Sequence, residues 1–107
     1  MVEYNEHNLD GIFGALSDPT RRSILERLQR GRATVGDIAA PYDMSFQAIS
    51  KHVRRLEAAG LIRRTKEGRE VWCEMVIEPM HHASSWLEDQ RAVWNARLDR
   101  LEQVLKE

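Results

Sequence analysis

Hydrophobic positions near the start of the chain follow the spacing of an α-helix. The predicted buried face recurs at i, i+3, i+4 and i+7 and consists of Leu9, Ile12, Phe13 and Leu16. Asp18 and Pro19 then mark the start of a new helix, because aspartate is a favoured N-cap and proline is tolerated at the first position of a helix. A second helix is therefore predicted. Its inward side chains are Ile24, Leu25 and Leu28.

The middle of the chain predicts two short helices joined by a tight turn. Thr34 is the predicted N-cap of the first helix, which Pro41 prevents from continuing. Ser45 is the predicted N-cap of the second, which extends over about 45–59 and ends at Gly60, a residue suited to positive φ. This second helix has one apolar face, spaced i, i+4 and i+7: Ile49, Val53 and Leu56.

The opposite face of that second helix is polar and rich in hydrogen-bond donors. A helical wheel places on it Gln47, Lys51 and Arg54, with Ser50 and Arg55 on its flanks. The next segment, about 61–76, consists of two strand-like runs around Glu67-Gly68, which predicts a β-hairpin with a basic tip that includes Lys66 and Arg69.

The last part of the chain, about 79–106, predicts one long helix without internal glycine or proline. A heptad-like hydrophobic seam runs along it, interrupted only by Arg91, and consists of Leu87, Trp94, Leu98, Leu101 and Leu105. A seam of this length exceeds what a small domain covers. We therefore expect a second copy of the chain to bury it, with Ile12, Phe13 and Leu16 helping to fill the interface.

Length and composition fit one soluble globular unit over 1–107. The chain has 107 residues, of which 42% are hydrophobic and 31% charged. It contains no apolar run of membrane-spanning length, and its acidic, polar beginning does not look like a secretory signal, so a cytoplasmic location is expected. Its single cysteine, Cys73, excludes an internal disulfide.

Charge is distributed unevenly along the chain. The formal net charge is −1, whereas nucleic-acid-binding domains are usually basic. Residues 1–18 hold four acids and no lysine or arginine, but residues 45–70 hold seven basic residues against three acidic ones. This net charge of +4 coincides with the polar helix face and the hairpin. The charge distribution by itself fits both a solvated surface and a nucleic-acid interface.

Taken together, the elements predict a mainly α fold with a small β-hairpin, namely a winged helix-turn-helix with a long C-terminal dimerisation helix. The DNA major groove admits one helix whose exposed side chains meet base edges, and glutamine, lysine and arginine suit adenine and guanine. Lys66 and Arg69 suit phosphates or the minor groove. No nucleophile elbow, phosphate loop or pair of catalytic acids is present, so we do not expect an enzyme.

The segments FGALSDPTRR, TVGDIAAPYDMS, SFQAISKHVRRLEAAGLIRR and KEGREVW resemble the arsenic-repressor (ArsR) type of winged-helix regulator over nearly the whole chain. The resemblance implies a homodimeric transcription repressor that dimerises through its first and last helices. The implied groove-facing residues are Ser45, Gln47, Ser50, Lys51 and His52, although the helical wheel places His52 nearer the core. A two-fold dimer predicts double-stranded DNA with an imperfect palindromic operator as the partner.

The chain departs from the metal-sensing members of that family. The segment VGDIAAPYDM has no cysteine, and Glu78, His81 and His82 on the last helix do not reproduce a known ligand spacing, so no metal or other cofactor is expected. Cys73 fits a small buried hydrophobe better than a redox sensor. Three alternatives stay open: release by metal at the histidines, release by oxidation of Cys73, and a winged-helix module that binds proteins.

Overall fold

The computed structural model describes the backbone of residues 2–106 and the side chains of residues 9–106. Helices predominate in it: α1 (Val2–Leu16), α2 (Pro19–Leu28), α3 (Val35–Ala39), α4 (Phe46–Ala58) and α5 (Glu78–Lys106). Three short strands complete the described part: β1 (Ala33–Thr34), β2 (Ile62–Glu67) and β3 (Glu70–Met75). The predicted fold class, mainly helical with a small sheet and a long last helix, is confirmed.

Side-chain caps fix where three of the helices begin. Asp18 accepts a hydrogen bond from the backbone N–H three residues later at 3.0 Å, and Ser45 does the same at 3.1 Å. Thr34 caps the short α3 in the same way at 3.1 Å. Each bond satisfies one of the N–H groups that a helix start leaves without a partner. All three predicted N-caps are confirmed.

The sheet has three strands in the order β1-β3-β2, and all neighbours are antiparallel. Strands β2 and β3 form the predicted hairpin, the wing. Glu67 pairs with Glu70, so the turn lies at Gly68-Arg69, one residue beyond its predicted position. Gly68 has φ of +63°, a conformation that a residue with a side chain rarely adopts. The prediction missed β1, which adds two residues beside Cys73 and Trp72.

The hydrophobic core lies between the first four helices and the inner face of the sheet. Ile49, Val53 and Leu56 of α4 are buried there, as the helical spacing predicts. Ile24, Leu25 and Leu28 of α2 join them, together with Ile12 of α1 and Cys73 of β3. This packing fixes α4 with its polar face outward, because a helix rotated about its axis would expose the apolar face.

Helix α5 extends well beyond this core. It has 29 residues, packs against α1 near its start, where Ala83 is buried, and then continues with exposed side chains. The radius of gyration is 18.4 Å, against about 13 Å for a compact domain of this length. Among the helices of residues 2–106, none is long and apolar enough to span a membrane.

Candidate nucleic-acid interface

The outer face of α4 carries the donors that the helical wheel predicts there. Gln47, Lys51 and Arg54 are exposed, and Ser50 is half-buried beside them. Ser45 is also exposed, and its Oγ accepts the cap hydrogen bond from the backbone N–H of Ala48. The Ser45 hydroxyl therefore still has its proton to donate. Glutamine, lysine and arginine on a helix that is about 10 Å wide are suited to contact base edges in a major groove.

A cationic groove of about 400 Å³ separates α4 from the wing. Arg54 and Ser50 line it from α4, and Arg64 and Arg69 line it from the wing. Among residues 9–106, Glu70 is the only acid that lines it. The walls also include residues of β1 and the start of α3. Three guanidinium groups around one open groove favour a polyanion, because guanidinium matches the geometry of phosphate oxygens.

The basic side chains of α4 and the wing divide into paired and unpaired ones. Arg63 contacts Glu74 at 2.7 Å, and Arg64 contacts Glu57 of α4 at 3.0 Å. The hydrogen bond that Arg64 donates to the Glu57 carboxylate raises the pKa of Arg64. By contrast, Lys51, Arg54, Lys66 and Arg69 form no ion pair with any side chain of residues 9–106. Their charges are available to an external anion.

Arg32, for which the sequence pattern predicts no role, joins the β1 side of the sheet to the wing. Its Nη1 donates to Glu67 Oε1 at 2.9 Å, and this hydrogen bond raises the pKa of Arg32. Its Cζ also lies 4.2 Å from the centroid of the Trp72 ring, a cation–π distance. The contact with Glu67 holds the distal end of β2, and the contact with Trp72 is made to β3. No local sequence pattern predicts these two contacts, because Glu67 and Trp72 are distant from Arg32 in sequence.

The position of His52 corrects what the resemblance implied. Its side chain is half-buried and points toward α2, where Nδ1 lies 3.4 Å from Arg21 Nη1 and 3.9 Å from Asp18 Oδ2. The backbone N–H of Arg21 lowers the pKa of Asp18, and the nearby His52 and Arg21 lower it further. His52 therefore helps to position α4 and does not belong to its groove-facing side.

Two arginines connect the end of α1 to this region. Arg21 donates to the backbone oxygens of Ala15 at 2.6 Å and Gly14 at 3.1 Å. The guanidinium of Arg55 lies against Gly14 so closely that a Cβ there would come within 2.6 Å of it. Arg55, predicted on the flank of the DNA-facing side, is thus directed toward α1. These contacts link α1 to the helix that carries the polar face.

The arrangement matches known DNA-binding regulators. A helix-turn-helix domain model matches residues 16–65. The transcriptional repressor SdpR of Bacillus subtilis (strain 168) is 33% identical over 79 residues, which cover 74% of this chain and 88% of SdpR. The crystal structure of an ArsR family transcriptional regulator is 44% identical, with a TM-score of 0.80, over 84% of this chain and 93% of that one. This chain belongs to the ArsR family.

A second solved structure supports the same assignment over more of the chain. It is an ArsR-like transcriptional regulator from Rhodococcus sp. RHA1, 34% identical with a TM-score of 0.79, and the match covers 92% of this chain and 93% of that one. The resemblance drawn from the sequence motifs is thereby confirmed. Membership of the ArsR family identifies the chain as a DNA-binding transcriptional regulator, and the family and these relatives are regulators rather than enzymes.

On this ArsR-family chain, α1 and α5 leave an apolar surface uncovered. Phe13 of α1 is 36% exposed and meets Trp86 of α5 edge to face, with 5.9 Å between ring centroids. The exposed seam of α5 consists of Leu87, Trp94, Leu98, Leu101 and Leu105, and Val93 and Val104 widen it. Leu16 is half-buried against the core. The prediction of Ile12 as an interface residue is wrong, because its side chain is fully buried within its own chain.

The candidate sensor residues of this regulator are His81 and His82 of α5 and Cys73 of β3. Among residues 9–106, no three His, Cys, Asp or Glu side chains cluster in a way that would hold a metal ion. His81 and His82 are exposed on α5. Cys73 is fully buried in the core, and this burial raises the pKa of its thiol, although the nearby Arg64 lowers it in part. A buried thiol of raised pKa has little thiolate to react.

Proposed function

We propose that this chain is a homodimeric repressor that binds an imperfect palindromic operator in the cytoplasm. The observation that supports this best is the unpaired polar face of α4, on which Gln47, Lys51 and Arg54 are exposed beside a cationic groove. Ser45 and Ser50 lie at the edge of the same face. In this proposal α4 is the recognition helix, and its side chains read base edges in the major groove.

The wing supplies contacts that do not depend on sequence. Lys66 lies near its turn and Arg69 lies within it, and both are exposed and without an ion-pair partner among residues 9–106. Such side chains contact phosphates and orient the protein on the duplex. Arg32 holds the strand that carries Lys66, through Glu67. The wing therefore contributes affinity, while the recognition helix contributes specificity.

The dimer is proposed to form through the apolar surface of α1 and α5, with Phe13, Leu16, Leu87, Trp94, Leu98, Leu101 and Leu105 buried between two copies. The proposed role as a repressor is inferred from similarity to the relative SdpR, which is a transcriptional repressor. A dimer that occupies a promoter excludes the polymerase, so DNA binding alone accounts for this activity. Nothing in the proposal requires a metal or another cofactor.

Binding to DNA upstream of the chain's own gene tests the proposal. A labelled duplex from that region and a shuffled duplex of equal length and composition are titrated with the protein at physiological salt. We expect the natural duplex to bind at least about 10³-fold more tightly, as for specific regulators. Arg54→Ala should reduce this difference by about 5- to 150-fold, the factor that corresponds to about 1 to 3 kcal/mol, whereas Arg100→Ala on the exposed α5 should leave it unchanged. Equal affinity for both duplexes, also for duplexes selected from a random pool, would contradict the proposal.

A further inference from the structure

Phe46 is an exposed aromatic residue at the first position of α4. Its side chain is 55% exposed and is absent from the hydrophobic core that Ile49, Val53 and Leu56 of the same helix help to form. An exposed phenylalanine ring does not contribute the stabilising free energy that its burial would provide. Because more than half of this ring is exposed and it lies outside the core, it is accessible to an external ligand.

The surroundings of Phe46 indicate which kind of ligand it contacts. The ring lines the groove between α4 and the wing, next to Ser50 and Arg54, which lie one and two turns further along the helix. Arg64 and Arg69 line the same groove from the wing. An apolar ring amid three guanidinium groups fits a polyanion that also offers an apolar group. An acidic protein or a lipid would not explain why this ring begins the recognition helix.

DNA offers such a group in its major groove. Among the base edges there, thymine alone presents a methyl group, at C5, and apolar side chains such as phenylalanine contact it. The N-terminal residues of a recognition helix are those that reach base edges in helix-turn-helix proteins. Phe46 lies at this N-terminal end of α4, and the neighbouring Gln47 is exposed on the polar face of the helix.

We propose that Phe46 is a specificity-determining residue that reads the C5-methyl group of one thymine in each half-site of the operator. The inference rests on the proposed function, because it requires that α4 enters the major groove. The proposed contact adds an apolar interaction to the polar face of α4, whose other side chains are hydrogen-bond donors. Loss of one methyl contact should weaken binding about fourfold, the factor that corresponds to about 0.8 kcal/mol for one buried carbon.

The test removes the methyl group from the DNA and the ring from the protein. Duplexes are selected from a random pool by the wild-type protein, and each thymine is then replaced singly by uracil, which lacks only the C5-methyl group. Affinities are measured by fluorescence anisotropy for the wild type, Phe46→Ala, Phe46→Leu and the control Met44→Ala. Met44 is also an exposed apolar residue, but it precedes α4 and does not line the groove.

We expect one thymine per half-site whose replacement by uracil weakens wild-type binding about fourfold, as for one methyl contact. Phe46→Ala should show no such loss at that position, Phe46→Leu should keep part of it, and Met44→Ala should behave like the wild type. Each protein is compared with itself on the thymine and uracil duplexes, so any change in its stability cancels.

Two results overturn the inference in distinguishable ways. A scan in which uracil has no effect at any position, or has the same effect on the wild type and Phe46→Ala, refutes the role of Phe46 and leaves DNA binding intact. Failure of the wild-type protein to select any sequence from the pool refutes the proposed function itself, and the role of Phe46 with it.

Discussion

Individual side chains divide the DNA-facing surface into base-reading and phosphate-contacting parts. Gln47 and Arg54 lie on the outer face of α4, whereas Lys66 lies near the turn of the wing and Arg69 lies within it. All four are exposed, and none forms an ion pair within residues 9–106. The two pairs should therefore respond differently to removal of their functional groups.

Substitution of Gln47 or Arg54 by alanine should cost about 1 to 3 kcal/mol of specific binding and relax the preference for one base, because it removes base-edge contacts. Alanine at Lys66 or Arg69 should instead weaken binding to all sequences and reduce the slope of affinity against salt, since phosphate contacts release counterions. Titrations of specific and shuffled duplexes at several salt concentrations separate the two effects. Identical behaviour of both pairs would refute this division.

Cys73 should be nearly inert toward thiol reagents in the folded protein. Its side chain is fully buried, and burial raises the pKa of the thiol, so little thiolate forms and reagents do not reach it. Mild oxidation should accordingly leave DNA binding unchanged. The rate of alkylation by iodoacetamide at about pH 8, compared between native and urea-unfolded protein, measures this protection. Equal rates would instead favour release of DNA by oxidation of Cys73.

At the scale of elements, the contacts at the end of α1 position the recognition helix. Arg21 satisfies two carbonyl oxygens of α1 and contacts His52 of α4, and Arg55 of α4 lies over Gly14 of α1. Because α1 belongs to the proposed dimer surface, these arginines connect that surface to the base-reading face. The orientation of α4 in each subunit then depends on them.

Arg21→Ala should lower the free energy of unfolding by about 1 to 3 kcal/mol, because carbonyl groups lose a charged donor in a half-buried setting. Arg22→Ala is the matched control: Arg22 is exposed and donates to Leu16, so its loss should cost no more than about 0.5 kcal/mol. Urea denaturation measures both values. Losses of equal size would show that the contacts of Arg21 with α1 and α4 contribute nothing specific.

Local signals in the sequence account for most of the elements. Asp18, Thr34 and Ser45 are helix caps in the structure because a short polar side chain before an apolar periodic segment leaves few alternatives. Strand β1 has two residues and pairs with β3 about 40 residues later, so no local pattern reveals it. For the same reason the contacts of Arg32 and the direction of Arg55 were not predicted.

The site was predicted less completely than the fold. A helical wheel gives the direction of a Cβ, and it therefore placed Gln47, Lys51 and Arg54 correctly on the exposed side. It does not show that His52 meets Asp18, or that Ile12 is enclosed by its own core while Phe13, one residue later, is exposed. An exposed aromatic residue directly after the N-cap was the available signal for Phe46, since it lies outside the i, i+4, i+7 core pattern.

The whole molecule has the shape of a subunit that requires a partner. Helix α5 is about 43 Å long at 1.5 Å per residue, and its apolar seam remains uncovered beyond Ala83. Trp94, at 62% exposed, lies in the middle of that seam. Exposed apolar area of this extent is unusual for a monomer and typical of an interaction surface.

Leu98→Glu should separate the dimer, because it would bury a charge in the apolar seam of each subunit. Analytical ultracentrifugation at micromolar concentration should show a dimer for the wild type and a monomer for the variant. Gln103→Glu, on the face of the same helix opposite the seam, introduces the same charge, provides the control and should remain dimeric. Sedimentation of the wild type as a monomer would contradict the proposed interface.

In the proposed dimer, two recognition helices read two half-sites on the same side of the duplex. A spacing series tests this arrangement most directly: the affinity of the selected operator is measured with 0, 5 or 10 base pairs inserted between its half-sites, which natively lie about 10 base pairs or a multiple apart. We predict that five base pairs, half a turn, reduce affinity to that of a single half-site, and that ten restore part of it. Affinity that does not depend on the inserted length would contradict the proposed arrangement.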